Sequence, residues 1–244
     1  MLKSVITDSV LISFAGGVLA LDRTAAFQAM ISRPIVTGPV IGFLLGRPEW
    51  GLVAGVILEL IFIGDLPVGR YVPLHETCLT VVVSALTITA LDASGAPPGY
   101  GGLKEEVMVL PLMLLITVPV SRLFQKADIV ARHLNARLYE NALSSVGAGS
   151  GAHLVRDNLK GLGLFFTSSA VALLITLLPL MALVHLFFSA LPANALMPAF
   201  IGCVVLGISS AINSVAMDKG DKGLLVFCAS AVISSAVIIW VAFL

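Results

Sequence analysis

The chain has 244 residues, 58% of them hydrophobic and only 11% charged, with a mean hydropathy of +1.05. No soluble domain of this size is so apolar, so the composition places the chain among integral membrane proteins that cross the bilayer several times. Its 14 basic and 14 acidic residues cancel to a formal net charge of zero. The basic residues are not gathered into a nucleic-acid surface, which excludes that partner.

Ser4 to Leu21 predicts the first membrane helix. It lacks the basic start and small-residue cleavage site of a signal peptide and carries Asp8 within it, so a retained helix is expected. Asp22 to Arg33 reads as a short helix-like piece containing Gln28 and stopping at Arg33-Pro34. Pro34 suits the first turn of the next helix, where its missing N–H loses nothing. Pro34–Gly46 and Gly51–Gly64 are two apolar pieces joined by a turn at Arg47-Pro48-Glu49-Trp50. Neither reaches the roughly 20 residues that an upright helix needs to cross about 30 Å of hydrocarbon, so a hairpin that dips into the membrane and returns is expected.

Asp65 to Glu76 is polar, is broken by Pro67, Gly69 and Pro73, and brings Asp65, Arg70, His75 and Glu76 to the apolar boundary. Thr77–Leu91 is a further membrane segment, Asp92–Gly102 a loop without Lys or Arg, and Lys104–Val120 a span interrupted by Pro111 and Pro119. Ser121 to Lys160 differs from its surroundings: Arg122, Lys126, Arg132, Arg137, Arg156 and Lys160 all fall there. Leu123, Ala127, Val130, Leu134 and Leu138 recur at helical steps opposite that basic face, which predicts an amphipathic helix at the membrane surface, followed by a flexible linker from Ser144 to Gly151. The positive-inside rule puts 121–160 in the cytoplasm and the Asp92–Gly102 loop outside. Gly161–Phe188, Ala199–Val215 and Gly223–Leu244 complete the apolar segments. The whole reads as one all-α, polytopic membrane-embedded transport domain, residues 1–244, with roughly seven to nine membrane segments by the span lengths above.

The polar residues inside this apolar frame carry the chemistry. A lone acid, Glu59 in GVILELIFIG, is costly in a membrane and so faces a pathway or a partner. Recognition of a polar substrate needs acceptors and donors in a site that excludes bulk water. Glu59 supplies acceptors, and Asp22, Gln28, His75, Glu76 and Asn213 are candidates to complete the set. The competing reading of Glu59 is a structural ion pair with Arg33 or Arg47, with Arg33 anchoring a helix end. Gln28 and Asn213 can equally glue helices together, and His75 and Glu76 can equally belong to a solvated loop. Cys78, Cys203 and Cys228 lie in apolar runs without metal-binding spacing. Gly147–Gly151 has no following Lys-Ser or Lys-Thr and is no phosphate loop. No catalytic motif, cofactor motif or metal-ligand set occurs, so the chain alone is not read as an enzyme.

The stretch DRTAAFQAMISRPIVTGPVIGFLLGRPEWGLVAGVILELIFIG resembles the IIC subunit of mannose-type (mannose/fructose/sorbose) sugar phosphotransferase systems. The shared features are an Asp, AFQ, SRP, an apolar GPxxGxxLG, and the Leu58-Glu59 pair followed by a Gly. The register covers about the first 90 residues, and LPANALMPAFIGCVVLGISSAINSVA fits more loosely. The resemblance implies a bacterial inner-membrane permease subunit that works with a homologous IID subunit. It also implies cytoplasmic IIA and IIB subunits that phosphorylate the sugar, inverted repeats with re-entrant hairpins, and a trimer of IIC–IID pairs. The sequence departs from the hexose carriers at Val72-Pro73-Leu74-His75-Glu76, where a V-x-P-D-like turn is the family habit, and its final apolar region is shorter than the family leads one to expect. Two other readings stay open at this point. One is a stand-alone ion-coupled transporter with Glu59 as its proton or Na⁺ site, the other a non-transporting regulatory remnant of a phosphotransferase system.

Overall fold

A computed structural model describes residues 2–26, 28–62, 72–95, 103–117, 120–147 and 154–190. Among the described residues every regular element is a helix, in the order α1 (Leu2–Leu21), α2 (Pro34–Leu44), α3 (Pro48–Phe62), α4 (Glu76–Ala93), α5 (Leu103–Thr117), α6 (Ser121–Gly147) and α7 (Leu154–Ala190). Among the described residues, three stretches are long and apolar enough to cross a membrane: Ser4–Leu21, Glu76–Ala93 and Val155–Ser189. The expected segments beyond residue 190, with Asn213, Cys203 and Cys228, lie outside the described residues, as do Asp65 and Arg70.

The chain divides into two compact units, Met1–Thr89 with Thr117–Val184, and Ala90–Ile116 with His185–Leu244. In the first unit α4 is the central element: every residue from Thr77 through Thr89 is buried. A helix buried all round needs no polar face, and two of its hydroxyls turn back on their own backbone, Thr80 Oγ1 to Glu76 O at 2.8 Å and Thr89 Oγ1 to Ala85 O at 2.8 Å. Helix α1 packs against both α4 and α7 through Gly16, where a Cβ would stand 2.6 Å from Leu173 Cδ1 and 3.1 Å from Val81 Cγ2. Helix α7 turns Ala172, Leu173, Thr176, Leu177, Met181 and Val184 inward at three- and four-residue steps, the stripe a half-covered helix requires. In the second unit α5 carries Pro111 within it and buries Val109, Leu110 and Met113.

Helices α2 and α3 form a tight hairpin. Gly38 and Gly42 on one helix face Gly51 and Gly55 on the other, a small-xxx-small spacing on both sides. A Cβ at Gly42 would stand 2.7 Å from Arg47 O and 2.9 Å from Pro48 Cα, and one at Gly38 would run into the Gly51 carbonyl and the Gly55 backbone. The two backbones therefore touch along the hairpin.

Several boundaries differ from the sequence expectations. The α2–α3 turn lies at Leu45–Arg47, not at Arg47–Trp50. Gly46 takes a left-handed φ of 77° there, and Pro48 opens α3, a first position where proline costs nothing. Asp22 to Arg33 is a run of turns and bends, not a helical piece. Its shape is imposed by the Asp22 carboxylate, which accepts the N–H of Ala29 at 2.7 Å and of Ser32 at 3.0 Å. Gln28 and Met30 take left-handed φ values of 53° and 62° to make those bonds. The linker expected from Ser144 is helical as far as Gly147, and α7 begins at Leu154, so Arg156 and Lys160 belong to it. On α6 the inward face is Phe124, Asp128 and Ala131, whereas Leu123, Val130 and Leu134 of the apolar stripe stay exposed within this chain. Pairing of Asp128 with Arg23 turns that face inward.

Candidate functional site

The site is assembled in the first unit at the point where the Asp22–Arg33 loop, the start of α2, the start of α4 and the first turns of α6 converge. Each element delivers a charged group for a local reason. Arg33 is the N-cap of α2, and its carbonyl accepts the Val36 and Thr37 N–H groups at 3.0 and 2.9 Å. Glu76 opens α4, where an acid is favoured by the helix dipole. Glu59 sits in the last turn of α3 and reaches back to the first turn of α2, accepting the Ile35 N–H at 3.4 Å. Ser32, the residue before the cap, is fastened on both sides: its N–H to Asp22 and its carbonyl to Thr77 Oγ1 at 2.9 Å.

The centre of the arrangement is Arg33. Its Nη2 lies 2.6 Å from Glu59 Oε1 and its Nη1 lies 3.6 Å from Glu76 Oε1. Beside it opens a cleft of about 400 Å³, within the range of small-molecule sites, with Asp22, Gln28, Ser32, Arg33 and Glu76 among its walls. The far wall is a second charge cluster. Asp128 of α6 lies 3.8 Å from Arg23 Nη1 and accepts Arg132 Nε at 3.1 Å, while Arg23 Nη2 donates to Leu74 O at 3.1 Å. Every guanidinium lining the cleft thus has a carboxylate within 4 Å, and the Asp22 carboxylate is met by backbone N–H groups, so the site offers many donors and acceptors and no guanidinium without its acid. That combination suits a neutral polyhydroxylated ligand.

Burial alone would raise the Asp22 pKa, but the N–H donors of Ala29, Ser32 and Ile31 outweigh it and hold the carboxyl below its ordinary 3.8. Asp22 is therefore an anion committed to shaping the loop. Gln28 is exposed at the cleft, its Nε2 donating to Thr24 O at 3.4 Å. His75 is buried and stands outside the cleft walls; its Nδ1 accepts the Cys78 N–H at 3.3 Å, which caps the start of α4. Burial, with the Arg23 charge beside it, holds its pKa well below the usual 6.5, so it stays neutral at neutral pH. Glu59 stands behind Arg33 and does not itself line the cleft.

Of the residues singled out in the sequence, Asp22, Gln28, Arg33 and Glu76 meet in one cleft, and Glu59 joins them through Arg33. Arg23, Asp128 and Arg132 were not anticipated. Arg23 is adjacent to Asp22, but nothing local marks a residue of an amphipathic surface helix as its partner.

A helical chain with helices long and apolar enough to cross a membrane, a hairpin of shorter helices, and a polar cleft of ion-paired arginines has the build of a membrane transport subunit. The chain belongs to the family described as the PTS system sorbose-specific IIC component, which matches residues 6–234. It is 30% identical over 123 residues to the candidate N-acetylgalactosamine permease IIC component 2 of Escherichia coli (strain K12), a match spanning 48% of this chain and 84% of that protein. Its fold resembles a chain in the cryo-EM structure of the mannose transporter ManYZ with microcin E492, at a TM-score of 0.53 and 17% identity over 98% of this chain and 95% of that one. The chain is thus a IIC permease component of the mannose/sorbose type, a multi-pass membrane subunit that is not catalytic alone.

Proposed function

We propose that this chain carries a neutral hexose-like sugar across the bacterial inner membrane, binding it in the cleft beside Arg33. The observation that carries the reading is the shared guanidinium: Arg33 joins Glu59 and Glu76 at the rim of a cleft walled by Asp22 and Gln28. A pyranose hydroxyl pair both donates and accepts, and carboxylates, an amide and guanidiniums stand together in the walls of this cleft. The sugars named for related proteins, N-acetylgalactosamine, mannose and sorbose, are the substrates to try first.

In this reading the α2–α3 hairpin is re-entrant, residues 121–160 face the cytoplasm, and a IID subunit pairs with the chain in a trimer of pairs. Separate IIA and IIB proteins phosphorylate the delivered sugar. The basic face of α6 then meets those proteins or anionic headgroups, and Asn213 is a further candidate ligand. The decisive experiment measures binding of the three radiolabelled sugars to the chain co-purified with its IID partner. At least one sugar is expected to bind, with affinity falling about tenfold or more in Glu76→Gln and Glu59→Gln, the loss of one charged hydrogen bond. Unchanged binding in both variants would sink the site assignment, and uptake independent of a phosphocarrier protein would sink the permease reading.

A further inference from the structure

A second cavity, of about 390 Å³, lies between α6 and α7, and Thr24 and Ala25 of the Asp22–Arg33 loop close one side of it. Thr24 also lines the cleft beside Arg33, so one residue is a common wall of the two spaces. The chemistry of the second cavity is distinct. Tyr139 and Phe165 present rings, Leu138 and Leu162 present aliphatic surface, and Asn135 and Asn158 present amides. The single charged side chain among its walls is an acid, Asp157, bound to Lys160 Nζ at 2.9 Å.

A pyranose has an apolar C–H face, which rests on aromatic or aliphatic surface, and a rim of hydroxyls, which needs paired donors and acceptors. Rings together with amides and one carboxylate supply both. The Asn135 amide is held in place: its Nδ2 donates to Gly161 O at 3.4 Å, and a Cβ on Gly161 would stand 2.8 Å from its Oδ1. The acid among the walls accepts from a hydroxyl, and with its charge offset by Lys160 no Lys or Arg stands among the lining residues to draw in a phosphate.

The geometry points to a second site, between α6 and α7, for the neutral unphosphorylated sugar, one loop away from the cleft at Arg33. It rests on the reading of that cleft as the sugar site. It is a station on the α6 side of the loop, where sugar released from the first site is held before phosphorylation by another protein.

The test uses the chain with its IID partner, and equilibrium dialysis with the same three sugars over a wide concentration range. Wild type is expected to bind two sugars per IIC chain. Tyr139→Ala and Asn158→Ala, both at exposed positions, are expected to weaken one component about tenfold and leave the melting temperature unchanged. Glu76→Gln is expected to weaken only the other. The 6-phosphate of the bound sugar is expected not to compete at the component lost in Asn158→Ala; full competition there would overturn the assignment to a neutral ligand. A single sugar per chain, lost in Glu76→Gln and untouched by Tyr139→Ala and Asn158→Ala, would overturn the second site and leave the first standing. No binding of any of the three sugars to wild type would overturn both.

Discussion

Arg33 donates to Glu59 at 2.6 Å, and the other oxygen of that carboxylate is already occupied by the Ile35 N–H at 3.4 Å. Both oxygens of Glu59 are thus engaged at the start of α2. Of the two acids on Arg33, Glu76 is the one that lines the cleft, and Glu59 stands behind the guanidinium.

Arg33→Ala is expected to destabilise the protein by about 2 kcal/mol, because it leaves a largely buried carboxylate without its counter-ion; partial exposure of Arg33 keeps the cost below that of a fully buried pair. A double-mutant cycle with Glu59→Ala is expected to return a coupling of about 1–2 kcal/mol. Thermal denaturation in mild detergent checks it. Additive single effects would mean that the pair contributes nothing.

Glycine substitutions separate contact from propensity. Gly38→Ala forces a Cβ into the Gly51 carbonyl and is expected to cost about 1–3 kcal/mol or to splay the hairpin. Gly163→Ala, within α7 and with nothing near its would-be Cβ, is expected to stabilise by about 0.5–1 kcal/mol. Melting temperatures moving in the same direction for both would refute the close packing of α2 on α3.

Asp22→Asn weakens the acceptor for Ala29 and Ser32 and is expected to cost about 1–3 kcal/mol at neutral pH. The folded carboxyl titrates below its ordinary value, so its charge stabilises the fold at pH above 3.8, and that contribution is lost as pH falls through the lower folded value. The stability difference between wild type and Asp22→Asn is therefore expected to stay flat from neutral pH to the acid range and to shrink only below 3.8. A difference that instead faded around neutral pH would point to another titrating group.

Asp128→Asn removes the carboxylate shared by Arg23 and Arg132, leaving Arg23 largely buried without its acid. A loss of about 2–4 kcal/mol is expected, with faster proteolysis of α6 as the local readout. Cleavage at the wild-type rate would show that α6 is held by its apolar contacts and by Ser168 Oγ, which donates to Ala127 O at 2.9 Å.

The elements set by their own residues were legible in the sequence. Segment length and apolarity located α1 and α4, the Pro34 start located α2, and the polar composition of 121–147 located α6. The elements set by distant partners were not. The Asp22–Arg33 loop looks helical by composition, yet the Asp22 carboxylate captures N–H groups that a helix would have used internally. The inward face of α6 cannot be read from hydrophobicity, because an acid, Asp128, sits buried at its centre with Arg23 and Arg132 as its counter-ions. The site followed the same division. Glu59 stood out as a lone acid in an apolar run, and the Arg33 pairing was one of two readings it allowed. The contact of the His75 ring with the Cys78 N–H at the start of α4 has no mark in the local sequence.

The zipped glycines of α2 and α3 have a mechanical consequence. With backbone against backbone, the hairpin moves as a single piece, and that piece includes Glu59 and the Arg33 cap that holds it. Ser32, its immediate neighbour, is fastened instead to Asp22 and to Thr77 of α4. The link between Ser32 and Arg33 is therefore the pivot on this side of the hairpin. A swing about it keeps the 2.6 Å pair with Glu59 and changes both the 3.6 Å contact with Glu76 and the bond from Thr37 Oγ1 to Ile31 O at 3.2 Å, so the distance from Arg33 to Glu76 reports how far the hairpin has travelled.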